Sequence, residues 1–472
     1  MDMASNQPDN LALTAEQLRE YSAAFNADRA NLVAANAAVS NGILQAATSY
    51  RGVRELPRTF SVELKQGSIT SQEHSGRCWM FASLNTLRYE LMHKWNLDDF
   101  EFSESYLFFY DKLEKSNFYL ENVLKTLDKT TDSRIFEAVN EGPADDGGWW
   151  QMFVALVKKY GLVPKEAYPE SSNSRDSSAF EQYLNTKLRE FAAELRDAHQ
   201  AGKSVEELRS LKTGQMSVVY RICAIAMGEP PASFDLLLRV KDEGKDDAKA
   251  SESGTKSGID SRRQIVEHGI TPQEFYTKYV GEDLDDFVSL TNSPLASTPY
   301  YRRYQLAFVG NVAEAAPMDF INVPLDVFRK AAVDQLTAGH PIWFACDCAQ
   351  FSLRKAGIFD RGTVRVDELF GTEFASDKAH GLEYNDSRSN HAMTLTGVNL
   401  DKAGEPDRWK VENSWGASYG QGGCLIMTNE WFENFMFRLV VNKKYCSEEI
   451  IKAEQQKPIM VMPEDPLFQA DR

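Results

Sequence analysis

Cys78 heads an apolar helical stripe, Phe81, Leu84, Leu87 and Leu91, spaced three or four residues apart. Ser75-Gly76 reads as a turn just before it, so Cys78 falls in the first helical turn. There the unpaired backbone N–H groups and the positive end of the helix dipole favour a thiolate, the attacking form of cysteine. Gln72, a little upstream, can aim a side-chain amide at an oxyanion beside the same sulfur. A cysteine in this setting is either a nucleophile or an inert member of a helical core.

Two later segments favour the nucleophile. Asn390-His391-Ala392-Met393-Thr394-Leu395-Thr396-Gly397 reads as a buried strand that opens with a histidine. Arg408-Trp409-Lys410-Val411-Glu412 alternates as a second strand and runs into Asn413-Ser414-Trp415-Gly416. A cysteine nucleophile needs a base, and the base needs an orienting group. His391 can serve as the base. Asn413 can fix its tautomer by accepting the other ring N–H, and Trp415 can shield that bond from water.

At these residues the chain resembles the papain-like cysteine peptidases, and within them the bleomycin hydrolase and bacterial aminopeptidase C branch. The strings that carry the resemblance are Ser75-Gly76-Arg77-Cys78-Trp79, the run from Ser105 to Lys112, Asp146-Gly147-Gly148-Trp149, Val411 to Gly416, and Met427 to Phe432. The resemblance implies Cys78 as nucleophile, His391 as base, Asn413 as orienter and Gln72 as oxyanion donor. It also implies that Gly147 and Gly148 pair with the substrate backbone, with Trp415 beside the site. Neither a cofactor nor a metal is implied. Cys346-Asp347-Cys348 is the one other cysteine pair that suggests metal or redox chemistry, and no CxxC or histidine cluster accompanies it.

Six cysteines are few for 472 residues, as expected of a reducing compartment. Secreted papain relatives carry C-G-[SA]-C-[WY]. Here Ser75 replaces the first cysteine of that pattern, and the resemblance puts Asp145 where its disulfide partner would stand. Both ends of the bridge are missing together, which points to folding in the cytoplasm. The first residues lack a basic and apolar leader, and no apolar run reaches membrane-spanning length, so neither secretion nor a membrane is expected. The net charge of −17 disfavours nucleic acid and anionic membranes as partners.

The fold class expected is α+β, a papain-like fold with a helical half, an antiparallel-sheet or open-barrel half, and a large helical insertion. Residues 1–165 read as an N-terminal arm and the helical half. Residues 166–320 read as a helical insertion used for assembly, on the strength of Phe180, Leu184, Leu188, Phe191 and Leu195 at helical period. Within it, 241–263 is polar and charged and reads as a mobile loop. Residues 321–450 read as the β-rich half with His391 and Asn413. Residues 451–472 read as a C-terminal arm lying in the cleft, kept extended by its three prolines. Cys78 and His391 are 313 residues apart, against roughly 130–150 in compact papain-like enzymes. The insertion supplies the difference.

The reaction expected is acyl transfer through a thiol acyl-enzyme on peptide substrates. The resemblance implies a homohexamer with inward-facing sites. It also implies an aminopeptidase whose terminal carboxylate, here that of Arg472, meets the substrate's amino group. The ending Leu467-Phe468-Gln469-Ala470-Asp471-Arg472 is bulkier and more charged than the family's usual one. An endopeptidase of the same family is therefore the alternative reading, followed by a non-catalytic peptide- or nucleic-acid-binding scaffold.

Overall fold

The computed structural model describes residues 12–241 and 263–470. Residues 12–57 together with Asp360–Ala375 form one compact unit, and the other described residues form a second that holds all the candidate site residues among those described. In the first unit, Thr14 opens the helix Ala15–Ala27 with a capping box, its hydroxyl accepting from the Gln17 N–H. Neither this helix nor the next, Arg29–Asn41, buries a single residue.

The second unit is built on one open sheet of twelve strands. Its centre runs Met436–Asn442, Ile342–Cys346, His391–Leu400, Pro406–Glu412 and Cys424–Thr428, each antiparallel to the next. Further out lie strands Phe287–Thr291, Asp319–Asn322 and Arg302–Leu306, with Ile459–Val461 at the edge. Three neighbouring pairs are parallel, so the sheet is mixed rather than purely antiparallel, and it does not close into a barrel.

The stretch 166–320 is not helical throughout. Helices Ser178–Gln200 and Val205–Met227 occupy its first part, and all five residues of the predicted stripe are buried. The chain then forms a hairpin, Phe234–Val240 with Arg263–Ile270, and three strands of the main sheet. The period changes from 3.6 to 2 at Phe234-Asp235-Leu236-Leu237-Leu238, where alternate residues are buried. Most of 241–263 lies outside the described residues.

The helix Cys78–Lys94 is buried on nearly every side, beyond the one stripe its sequence suggests. One side packs on strands His391–Leu400 and Ile342–Cys346, the other on the helices Glu104–Lys125 and Trp150–Tyr160. Two bonds pin it to the sheet: Thr394 Oγ1 donates to the Ala82 carbonyl at 3.1 Å, and Trp343 Nε1 to that of Trp79 at 3.0 Å. Cys78 is thus presented at the N-terminal end of a rod clamped between two layers.

Candidate active site

His391 opens its strand in register with Cys346, and the neighbouring strand ends at Glu412, one residue before Asn413. His391 Nε2 lies 2.9 Å from Asn413 Oδ1. That oxygen also accepts the Ser414 N–H at 2.7 Å, which fixes the orientation of the amide. Since Oδ1 can only accept, the imidazole carries its proton on Nε2 and keeps Nδ1 as the basic nitrogen. Trp415 stacks on the imidazole with ring centres 4.7 Å apart. Asn413 is 1% exposed and His391 6%, so little water reaches the bond between them.

Cys78, Gln72, His391, Gly147 and Gly148 line one cleft of about 510 Å³. Gln72 is held at both ends of its amide. Its Nε2 donates to the Ser75 carbonyl at 2.6 Å, and its Oε1 accepts from the Ser414 hydroxyl at 2.7 Å. The Gln72 N–H also donates to the Ser414 carbonyl at 2.8 Å, tying this segment to the one that carries Asn413. The second N–H of Nε2 remains to serve the cleft.

The thiolate expected from the helix N-terminus is not the form favoured here. Burial pushes the Cys78 thiol up to about 11, and the negative Asp146 adds to this. Burial likewise pushes His391 down to about 4, with the positive Arg354 acting in the same direction. Both shifts favour the neutral forms, because a charge on either group would be poorly solvated.

The two glycines differ. A Cβ on Gly148 would meet the Trp79 indole at 2.5 Å, so packing alone demands glycine there. A Cβ on Gly147 would meet nothing within 4 Å. Below them, two buried lysines on the helix Glu104–Lys125 grip the loop. Lys115 Nζ donates to the carbonyls of Asp145 and Gly147 at 2.6 and 2.5 Å and pairs with Asp111 at 2.8 Å. Lys112 Nζ donates to the Ala144 carbonyl and pairs with Asp146, each at 2.5 Å. Asp146 in turn accepts the Gly76 N–H at 2.8 Å and bonds the Ser177 hydroxyl. Burial would raise the Asp146 carboxyl, but Lys112 and these donors hold it below the ordinary carboxylate range.

This network joins the turn before Cys78 to the glycine loop, the two places, at Ser75 and Asp145, where the resemblance implies a bridge in secreted papain relatives. Ser75 donates to the Gln72 carbonyl at 2.7 Å and accepts from Arg77 Nε at 2.8 Å. Sequence reasoning missed these lysines. The signal was present: Lys112 falls four residues after Phe108 on a core-facing helix, a position that tolerates charge only when it is paired.

The C-terminal arm is not extended throughout. Strand Ile459–Val461 leads to a short helix, Pro466–Ala470, with Pro466 at its first position. Leu467 and Phe468 are 1% and 2% exposed, and Phe468 lines the same cleft as Cys78. The Arg472 carboxylate lies outside the described residues.

With this geometry in hand, the chain can be set beside known proteins. A model of the Peptidase C1-like family matches residues 12–468. Aminopeptidase C of Lactobacillus delbrueckii subsp. lactis is 39% identical over 92% of this chain and 93% of its own. Aminopeptidase C of Listeria monocytogenes is 38% identical over 96% and 98%. Aminopeptidase E of Lactobacillus helveticus is 40% identical over 93% and 95%. The crystal structure of PepW from Lactobacillus rhamnosis superposes with a TM-score of 0.90 at 38% identity, covering 97% of this chain and 99% of PepW.

Proposed function

Because the chain belongs to the Peptidase C1-like family and is a cysteine-type aminopeptidase, we propose that Cys78, His391, Asn413 and Gln72 carry its reaction on peptides. The observation that carries this assignment is the Asn413–His391 bond beside Cys78 in one cleft. The Cys78 sulfur attacks the carbonyl carbon as His391 Nδ1 takes the thiol proton, forming the C–S bond. The oxyanion meets the free N–H of Gln72 Nε2 and the backbone N–H of Cys78. The imidazolium returns its proton to the departing amine as the C–N bond breaks. A water then gives its proton to His391 and its oxygen to the acyl carbon, and the thiol is restored.

Gly147 and Gly148 pair with the substrate backbone in this reading, and Trp415 shields His391. The arm that ends at Arg472 limits the cleft to one residue before the scissile bond, with its carboxylate taking the substrate's ammonium group. Burial of Phe468 in the cleft supports this over the endopeptidase alternative. Free-amino aminoacyl substrates and their N-blocked counterparts, assayed on the intact chain and on one truncated after Pro463, test it. The intact enzyme should require the free amine, and the truncated one should accept the blocked substrate. An unchanged ratio would remove the arm from this role.

We further propose that the enzyme works in the cytoplasm as a homohexamer. All six cysteines are free, which supports the location. Leu18, Tyr21 and Val39 are 53%, 56% and 87% exposed on helices that bury nothing within the chain, which supports self-association. The helices Ser178–Gln200 and Val205–Met227 expose Tyr183 and Ile225 and would supply further contacts.

A further inference from the structure

Arg354 and Lys355 form a cationic pair beside the catalytic histidine. The Arg354 guanidinium lies 5.7 Å from the centre of the Trp415 ring, and Trp415 is the residue stacked on His391. Lys355 Nζ lies 4.5 Å from the centre of the Tyr419 ring, which meets Trp415 edge to face at 5.5 Å. Both side chains are exposed, and neither has an acidic partner among the described residues. The one polar side-chain bond of Lys355 is to the Ser418 hydroxyl at 3.3 Å. In a chain of net charge −17, two neighbouring cations without acids are out of keeping with the composition.

Their place relative to the reaction gives them a use. In the proposed reading the acyl part of a substrate lies toward Gly147, Gly148 and Phe468, which line the cleft. The leaving amine lies toward His391, which must protonate it. Trp415 is the ring that His391 and Arg354 share, its centre 4.7 Å from that of the imidazole and 5.7 Å from the guanidinium. In our reading the chain that follows the amine crosses this ring, each residue spanning about 3.3–3.6 Å.

Resting on the proposed roles of Cys78 and His391, we infer that Arg354 and Lys355 form a carboxylate-binding subsite for the first two residues on the leaving side. The carboxylate can be the C-terminus of a di- or tripeptide or an acidic side chain. The aromatic faces of Trp415 and Tyr419 hold the two cations over the path of the leaving chain. Arg presents a planar fork that suits a carboxylate in two-point contact, while Lys355 adds a point charge. An aminopeptidase built this way favours the last steps of peptide breakdown, when the leaving part is short and its terminal carboxylate is near.

The test compares kcat/KM for peptides that share the same first residue. One arm sets a dipeptide against its C-terminal amide. The other sets glutamate against glutamine and lysine as the leaving residue, all as amides. An aminoacyl coumarylamide, whose leaving group is uncharged, is run beside them on the wild type, on Arg354→Gln and on Arg354→Glu/Lys355→Glu. The wild type should favour the carboxylate by about five- to tenfold, and added salt should reduce that preference because the charges are exposed. The double reversal should abolish or invert it, and Arg354→Gln should reduce it. Preference in the dipeptide arm alone assigns the subsite to the terminal carboxylate, and in the amide arm alone to an acidic side chain. No preference in the wild type, or one that survives the double reversal, overturns the inference. Failure of the wild type to cleave the coumarylamide would instead strike at the catalytic reading itself.

Discussion

Arg88, on the helix that begins at Cys78, meets Glu412, the residue before Asn413, at 2.6 Å with each side chain only 3% exposed. Arg88 also donates to the Ser68 carbonyl at 2.7 Å. The helix that begins at Cys78 and the strand that runs into Asn413 are thereby joined by a buried ion pair. Burial pushes Glu412 up to about 6 even against the pull of Arg88. Removing Arg88 leaves a carboxylate buried alone, so Arg88→Met should destabilise the protein by about 3–5 kcal/mol. Replacing both, as Arg88→Met/Glu412→Leu, should cost less. Urea unfolding of the three proteins checks this, and equal losses for single and double variants would contradict it.

The pH dependence follows from burial of the proposed base. In the proposed mechanism His391 acts in its neutral form, and burial pushes its pKa down to about 4. The acid limb of kcat/KM should therefore fall near pH 4, well below the value of about 6.5 for an ordinary imidazole. Stability moves in the same direction. Between those two values the unfolded chain binds the proton and the folded chain does not, so the contribution of this group rises with pH across that window and is lost as pH falls. An acid limb centred near 6.5 would show the cleft to be more open to water than it is here.

Lys115 should govern substrate binding more than chemistry. It holds the carbonyls of Asp145 and Gly147 but touches neither Cys78 nor His391 in any hydrogen bond. Lys115→Met removes two bonds from a charged donor, each worth about 1.5–3 kcal/mol, and also strips the buried Asp111 of its cation, so urea unfolding of the variant is measured beside its kinetics. KM for peptides should rise by roughly tenfold or more while kcat changes less. A fall in kcat alone, with KM unchanged, would place Lys115 in the chemistry instead.

Gln72→Ala should lower kcat by roughly 10²–10³ with little change in KM, the effect of losing one oxyanion donor. The same variant also loses the bonds to Ser75 and Ser414. Gln72→Glu keeps the acceptor toward Ser414 but replaces the donor with an anion, so it should be at least as slow. A Gln72→Glu enzyme with full kcat would rule out the oxyanion role.

Light scattering should find a particle near six times the 53.3 kDa chain. Replacing Leu18, Tyr21 and Phe25 with polar residues should reduce that mass without unfolding the chain, because all three are exposed within it. A monomer at micromolar concentration would exclude the hexamer.

Much of the candidate site is legible in the sequence because the chemistry proposed for it is written in short local patterns. Gln72, Cys78, His391 and Asn413 each stand at the boundary of an element whose apolar period can be read directly, and the comparisons place the whole chain in the family those patterns suggested. The same local reading goes wrong where the answer depends on distant partners. The helices Ala15–Ala27 and Ser178–Gln200 both carry apolar residues at helical spacing, yet the second buries its stripe and no residue of the first is buried. The strands after Phe287 join the main sheet rather than continue a helical insertion, because pairing is decided by the neighbour across the ladder.

Local sequence therefore singled out the residues proposed to react and the elements that carry them, since backbone period, caps and turns act over a few residues. Only the tertiary structure decided how those residues are held and charged. Arg88 and Glu412 are 324 positions apart, and Lys115 and Gly147 are 32 apart. No local pattern ties such pairs together. The protonation of Cys78 and His391 was likewise beyond the sequence. A helix N-terminus favours the thiolate locally, but desolvation depends on everything that closes over the sulfur, and here burial prevails.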